Sequence, residues 1–297
     1  MTGAQAPLDT PPDAAAAGAS WSAANGMRHS IRPRQSVLDR ADRRAQPTDR
    51  GAAPAASSVL DHAAAPGWDA LPLVEPGANR ARQTAMPVVD AQRDTATVRA
   101  FDLLRTRLRQ VTQENGWRNV AITAPTGGCG TTFTAVNLAL SLSRVPGSRT
   151  VLMDMNLRAP GLADAFDMAP RGAMRDYLDG RVPIGDQIVR ASDTLALGLT
   201  NAPDPDAAEV LQNARTGQTL HAMRAALRPD LVLYDLPAML SHDDVTAFLP
   251  QLDGVLLVSD GTATVSRQLV ACERALDGQV PLLGVVLNRA RRDSLPN

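Results

Sequence analysis

The stretch AITAPTGGCGTTFTAVNLA, residues 121–139, decides the fold. A short apolar run enters it, a glycine-rich turn follows, and an apolar pattern at helical spacing leaves it. Gly127, Gly128 and Gly130 let the backbone curl so that successive N–H groups point at one anion. The helix that follows adds the partial positive charge of its N-terminus. The hydroxyl of Thr132 is placed to ligate Mg²⁺. A standard phosphate-binding loop runs G-x-x-x-x-G-K-[ST]. Here the first glycine is absent and Thr131 stands where the lysine belongs. All 30 basic residues are arginine, a bias that a G+C-rich genome explains. No lysine elsewhere in this chain can take over the role.

Beyond the loop, near-continuous apolar runs recur at 119–124, 150–155, 231–236, 254–260 and 282–288, with a sixth at 194–200. Such runs suit parallel strands covered on both faces. Helical stretches are expected between them, at 131–144, 172–179, 206–227, 242–249 and 263–277. Another is expected before the first strand, where Val98, Phe101, Leu104, Leu108 and Val111 fall on one helical face. Alternating strands and helices predict a doubly wound α/β domain with a mostly parallel sheet, helices on both sides, and a P-loop. Ligands in such sheets bind at the carboxyl ends of the strands. Asp154 and Asp235 both close apolar strands. In a phosphate site a carboxylate so placed holds Mg²⁺ directly or through water, whereas a lone aspartate there is as readily a turn former.

Several motifs in one order resemble those of the bacterial tyrosine kinases of capsule and exopolysaccharide synthesis, relatives of the Min/Par-type deviant P-loop ATPases. The family's loop, S-P-T-P-G-E-G-K-S, corresponds to APTGGCGTT, followed by Asn137-Leu138-Ala139. Its D-x-D-L-R-x-P corresponds to Asp154-Met155-Asn156-Leu157-Arg158-Ala159-Pro160, and its D-T-P-P to Asp235-Leu236-Pro237-Ala238. The resemblance runs from about residue 96 to 290. It implies ATP or ADP with Mg²⁺ as ligands. The nucleotide would contact Gly127, Gly128, Cys129, Gly130, Thr131 and Thr132, with Arg289 nearby and Asn288 against the adenine. Thr132, Asp154 and Asp235 would hold Mg²⁺, and Asp154 would be the candidate base. It also implies a membrane chain-length or export protein as partner, through that protein's cytoplasmic segment, and a homo-oligomer. The place of action would be the cytoplasm, at the inner membrane through that partner.

The departures bear on chemistry. Thr131 removes the cation that faces the β- and γ-phosphates. Asn156 replaces the second aspartate of D-x-D and removes a charge that could hold metal or accept a proton. Arg158 and Arg289, which follow strand ends, are the best-placed substitutes for the lysine. The family's subunit-packing motif E-x-x-R-x-x-R reads Arg99, Asp102 and Arg105, with the first two charges reversed. The only tyrosines, Tyr177 and Tyr234, lie inside the domain, so no tyrosine-rich tail is expected. Cys129 lies near a helix N-terminus, where thiols become more acidic. It is either a redox-sensitive group or a small filler.

Residues 1–92 are rich in Ala, Pro, Ser, Asp and Arg and are expected to form a disordered arm. The P-loop domain is then 93–297. A basic stretch at 27–46 offers contact with an anionic partner or remains a solvated tail. With a net charge of −1 and two cysteines, Cys129 and Cys272, nothing points to nucleic acid or to a disulfide framework. No run of about 18 apolar residues spans a bilayer, and no secretory leader is expected at the start. Three functions fit these residues. One is an ATPase or protein kinase that uses an arginine in place of the lysine. Another is a non-catalytic nucleotide-binding regulator. The third is a positioning ATPase of the Min/Par type.

Overall fold

The computed structural model describes residues 28–31, 67–77, 96–200 and 202–290. Eight strands form one sheet: β1 (Arg28–Ile31), β2 (Asn119–Thr123), β3 (Thr150–Asp154), β4 (Ile188–Arg190), β5 (Leu195–Gly198), β6 (Leu231–Asp235), β7 (Gly254–Asp260) and β8 (Leu282–Asn288). Their order is β1-β8-β7-β2-β6-β3-β5-β4. The six expected runs are the six inner strands, all parallel. β1 and β4 close the two margins antiparallel.

Strand periodicity divides the core. Val120 and Ile122 face one cluster with Phe101, Leu104 and Leu138, while Ala121 faces the other with Tyr177, Met223 and Phe248. Every residue of β3, β6 and β7 is buried, as strands covered on both faces require. The helix α1 (Ala96–Asn115) buries the five apolar residues that its spacing predicts. It lies over α2 (Thr131–Ser143), which is itself buried from Thr134 to Leu142. At this junction Asp102 Oδ1 accepts from Ser141 Oγ at 2.6 Å and from Arg105 Nη1 at 3.0 Å. Arg105 also donates to the Ser141 carbonyl at 2.9 Å. Asp102 and Arg105 are thus tied to the chain's own α2, and Arg99 is exposed.

Shorter helices complete the layers: α3 (Leu162–Phe166), α4 (Met174–Leu178), α5 (Ile184–Gln187), α6 (Ala207–Gln212), α7 (Ala214–Leu227), α8 (Asp244–Phe248) and α9 (Ser266–Leu276). The single helix expected over 206–227 is two. Asn213 sits between them with extended backbone, and its side chain accepts from Arg215 N at 2.9 Å. An asparagine that bonds the backbone two residues ahead caps a new helix rather than continuing the old one.

Two pieces of the stretch expected to be disordered take part in this architecture. β1 pairs with β8, Arg28 opposite Leu287 through Ile31 opposite Gly284. Residues 67–77 run along the opposite margin. Trp68 is 2% exposed, donates from Nε1 to the Asp193 carbonyl at 2.9 Å, and lies under the Arg149 guanidinium. Val74 N donates to the Arg190 carbonyl, and Arg190 N to the Pro72 carbonyl, both at 2.8 Å. Both segments are held by backbone pairing to distant strands, which leaves no local periodicity in the sequence. The rest of 1–92, including most of the basic stretch 27–46, lies outside the described residues, as do 291–297.

Trp68→Ala is expected to lower the unfolding free energy by about 3–5 kcal/mol, the range for emptying a buried tryptophan site. Denaturant unfolding checks this. A change under about 0.5 kcal/mol, typical of a surface position, would detach residues 67–77 from the domain.

Candidate functional site

The loop between β2 and α2 curls because Gly128 and Gly130 take the left-handed region, with φ of 80° and 92°. A side chain at Gly130 would also collide with the Asn288 amide. No side chain caps the N-terminus of α2, so its first N–H groups are left for another acceptor. They open on a cleft of about 500 Å³. The loop, Asn156, residues 236–238, Asn288 and Arg289 line it.

Beneath the cleft β3 and β6 run side by side, and Asp154 is the register partner of Asp235. Both are fully buried. Thr132 Oγ1 donates to Asp235 Oδ2 at 2.7 Å. Asp154 Oδ2 accepts from Gly161 N at 3.0 Å and Leu162 N at 2.9 Å. The Oδ1 atom of each carboxyl is buried with no hydrogen-bond partner. Burial pushes Asp154 up to about 6, against the backbone donors that favour its charge. Burial, and then the charge of Asp154, hold Asp235 well above the carboxylate range, against the Thr132 hydroxyl. Two carboxyls so placed call for a proton or a cation. Two orphaned carboxylate oxygens beside a hydroxyl are hard donors that fit Mg²⁺. Among the described residues no cluster of three His, Cys, Asp or Glu could hold a metal, so phosphate and water would complete the shell.

The structure brings together Gly127, Gly128, Gly130, Thr131, Thr132, Asn288 and Arg289 around the cleft, with Asp154 and Asp235 below. Thr131 lines it without a charge. Arg158 does not reach it. Its Nε and Nη2 donate to Asp244 Oδ2 and Oδ1 at 2.8 and 2.9 Å, and its Nη1 to the Pro205 carbonyl at 2.7 Å. Asp244 is buried, and leaving such a charge unpaired is costly, so Arg158 is committed there. The side chain of Cys129 is 2% exposed and sits 3.6 Å from the hydroxyls of Thr126 and Thr264. Its thiol is a packing group beside the loop, and only its backbone belongs to the curl. Asn288 Nδ2 donates to the Cys129 carbonyl at 2.9 Å, so it braces the loop besides lining the cleft.

Asp260 was not among the expected site residues. It ends β7 and accepts from Thr262 N and Oγ1 on Oδ1, at 2.8 and 2.6 Å, and from Arg289 Nη1 on Oδ2, at 2.7 Å. Burial opposes its charge, but the Thr262 donors and Arg289 outweigh it and hold the carboxyl below its ordinary value. The signal for it was present: GVLLVSD closes on an aspartate, as the strands of Asp154 and Asp235 do.

A glycine curl between strand and helix, facing a strand-end carboxyl bonded to the first-turn threonine, defines a P-loop protein. No protein-family model matches the chain. It is 29% identical over 215 residues to the succinoglycan biosynthesis transport protein ExoP of Rhizobium meliloti, covering 70% of this chain and 27% of ExoP. To the tyrosine-protein kinase YwqD of Bacillus subtilis it is 28% identical over 191 residues, 63% of this chain and 79% of YwqD. To the chromosome-partitioning ATPase Soj of Thermus thermophilus it is 32% identical over 181 residues, 57% of this chain and 68% of Soj. The kinase domain of the Escherichia coli tyrosine kinase ETK superposes with a TM-score of 0.61 at 24% identity, covering 70% of this chain and 82% of that one. The chain belongs to the bacterial tyrosine-kinase family of exopolysaccharide biosynthesis, related to the Min/Par-type P-loop ATPases. It spans about a quarter, 26–27%, of the length of the first curated relatives it matches. Among the described residues no helix is long and apolar enough to cross a membrane.

Folded Asp154 and Asp235 bind protons that the unfolded chain, titrating near 3.8, releases. Native protein therefore holds more protons above pH 4, and stability contributed by the pair falls as pH rises through 6 and beyond. In metal-free protein, Asp235→Asn should flatten that fall and raise the unfolding free energy at pH 8. Urea unfolding of both proteins from pH 4.5 to 8 checks it. Parallel curves for the two would show that Asp235 binds no extra proton in the folded state.

Proposed function

We propose that this chain binds ATP or ADP with Mg²⁺ weakly, turns it over slowly or not at all, and regulates exopolysaccharide synthesis or export. The observation that carries the reading is a complete cradle over two magnesium-fitting carboxyls with Thr131 at the lysine position. The main-chain N–H groups of the curl and of the first turn of α2 would bind phosphate. Thr132, Asp154 and Asp235 would hold Mg²⁺, which when bound supplies positive charge against the phosphate oxygens. Asp154 is the group left to orient water or take a proton, since Asn156 accepts none. Losing one preorganised donor of charge costs on the order of 10²–10³ in rate. The loss in binding is smaller, about 1–3 kcal/mol for a charge-assisted hydrogen bond.

The setting rests on the relatives: ExoP is described as a succinoglycan biosynthesis transport protein. A cytoplasmic protein docking on the inner segment of a membrane chain-length or export protein fits that setting. Self-assembly through α1 is disfavoured, because Asp102 and Arg105 bond within the chain. An active ATPase or tyrosine kinase that uses an arginine is the competing reading. Of the two candidate arginines only Arg289 lies at the cleft. A Min/Par-type positioning ATPase is the third, supported by the likeness to Soj. It is weakened by the missing loop lysine.

Calorimetry with Mg-ATP and Mg-ADP and a phosphate-release assay test the proposal on wild type and Thr131→Lys. The variant is expected to bind Mg-ATP about 10–100-fold more tightly and to turn it over on the order of 10²-fold faster. Wild type that hydrolyses ATP as fast as the variant would refute impaired catalysis.

A further inference from the structure

Thr131 leaves the cleft without its usual cation, yet the cleft is not without charge. Among the described residues, Arg289 is the one charged residue that lines it. It belongs to the turn after β8 and not to the loop. Its backbone takes φ of 54°, a left-handed conformation uncommon for a residue with a side chain. Asn288 holds the kink: its Oδ1 accepts from Arg289 N at 2.9 Å, and its carbonyl accepts from Gly261 N at 2.7 Å. The turn sends the Arg289 side chain back onto the phosphate loop, where Nη1 donates to the Gly128 carbonyl at 2.9 Å.

The same Nη1 donates to Asp260 Oδ2 at 2.7 Å. Asp260 is fixed in turn by the two Thr262 donors on its other oxygen. Asp260 is 4% exposed at its side chain and Arg289 is 57% exposed, so a rooted carboxylate aims a solvent-facing guanidinium. Nη1 makes both of the hydrogen bonds. Nε and Nη2 have no partner among the described residues. A guanidinium anchored through one nitrogen presents its remaining donors as a planar fork, the geometry that matches phosphate oxygens.

We propose that Arg289 is the phosphate-binding cation of this cleft, delivered from the turn after β8 and oriented by Asp260, and that it selects nucleoside di- and triphosphates over the bare nucleoside. The proposal rests on the nucleotide reading above and adds the residue that makes binding work without a loop lysine. Arg289 acts by direct contact with phosphate, and Asp260 is a positioning residue.

The test uses the full chain as wild type, Arg289→Ala, Arg289→Gln and the double variant Thr131→Lys/Arg289→Ala. Mg-ATP and Mg-ADP are titrated by calorimetry, and adenosine by ligand-observed NMR. Arg289→Ala should weaken both nucleotides by about 10–100-fold and leave adenosine unchanged. Arg289→Gln keeps a donor for Gly128 without the charge, and should lose as much, which separates charge from bracing of the loop. The double variant should regain the nucleotide affinity. Mg-ATP binding within twofold of wild type in Arg289→Ala, an equal loss for adenosine, or an Arg289→Gln that binds like wild type would each overturn the assignment while leaving the nucleotide reading intact. Wild type that takes up neither Mg-ATP nor Mg-ADP would bring down both.

Discussion

Two carboxyls in a dry interior, opposite one another on adjacent parallel strands, cannot both be charged unless something positive lies between them. Asp154 and Asp235 meet that constraint at the ends of β3 and β6. Much of the site follows from it. The Thr132 hydroxyl is spent on Asp235, which fixes the first turn of α2 against β6. The backbone at Gly161 and Leu162 folds over Asp154 to satisfy one of its oxygens. The two oxygens that remain without partners are a standing demand for a proton or a cation. A buried unpaired polar atom is costly, and this fold keeps two of them on facing carboxyls beneath the phosphate-loop curl.

Most of the inner architecture was legible in the sequence, because six near-continuous apolar runs have few alternatives to a parallel sheet. The curl was legible from its glycines, and the paired carboxyls beneath it from aspartates that end strands. What could not be read was where long side chains go. Arg158 and Arg289 look equivalent in sequence, each just past a strand. Yet Arg158 is claimed by Asp244 on α8 and Arg289 turns back over Gly128. The partner that decides between them lies 86 residues away in one case and 161 in the other, so no local pattern separates them. For Cys129 the sequence left two readings open, a redox-sensitive group or a small filler, and its burial against Thr126 and the distant Thr264 fits the filler.

The break at Asn213 and the burial of Trp68 mark the other limit. Asn213 was visible but its effect was not, since an asparagine inside an apolar helical pattern caps or continues according to what surrounds it. Trp68 lies in a short segment with no helical or strand periodicity, and its partners, Asp193 and Arg149, come from elsewhere in the chain. Asn213 is decided by a local cap to Arg215 N, and Trp68 by tertiary contacts.

The two outer strands of the six parallel ones are covered by antiparallel margins, and the N-terminal part of the chain supplies the cover of β8 and reinforces that of β5. β1 lies along β8, and residues 72–74 bond to β4 at the far side. An uncovered strand is a template for adhesion between molecules. A truncated version starting near residue 93, chosen because the sequence looks foldable from there, would shed both guards at once. It would present a sticky flank along β8, and what looked like a trimming of idle chain would become a route to fibrous self-association.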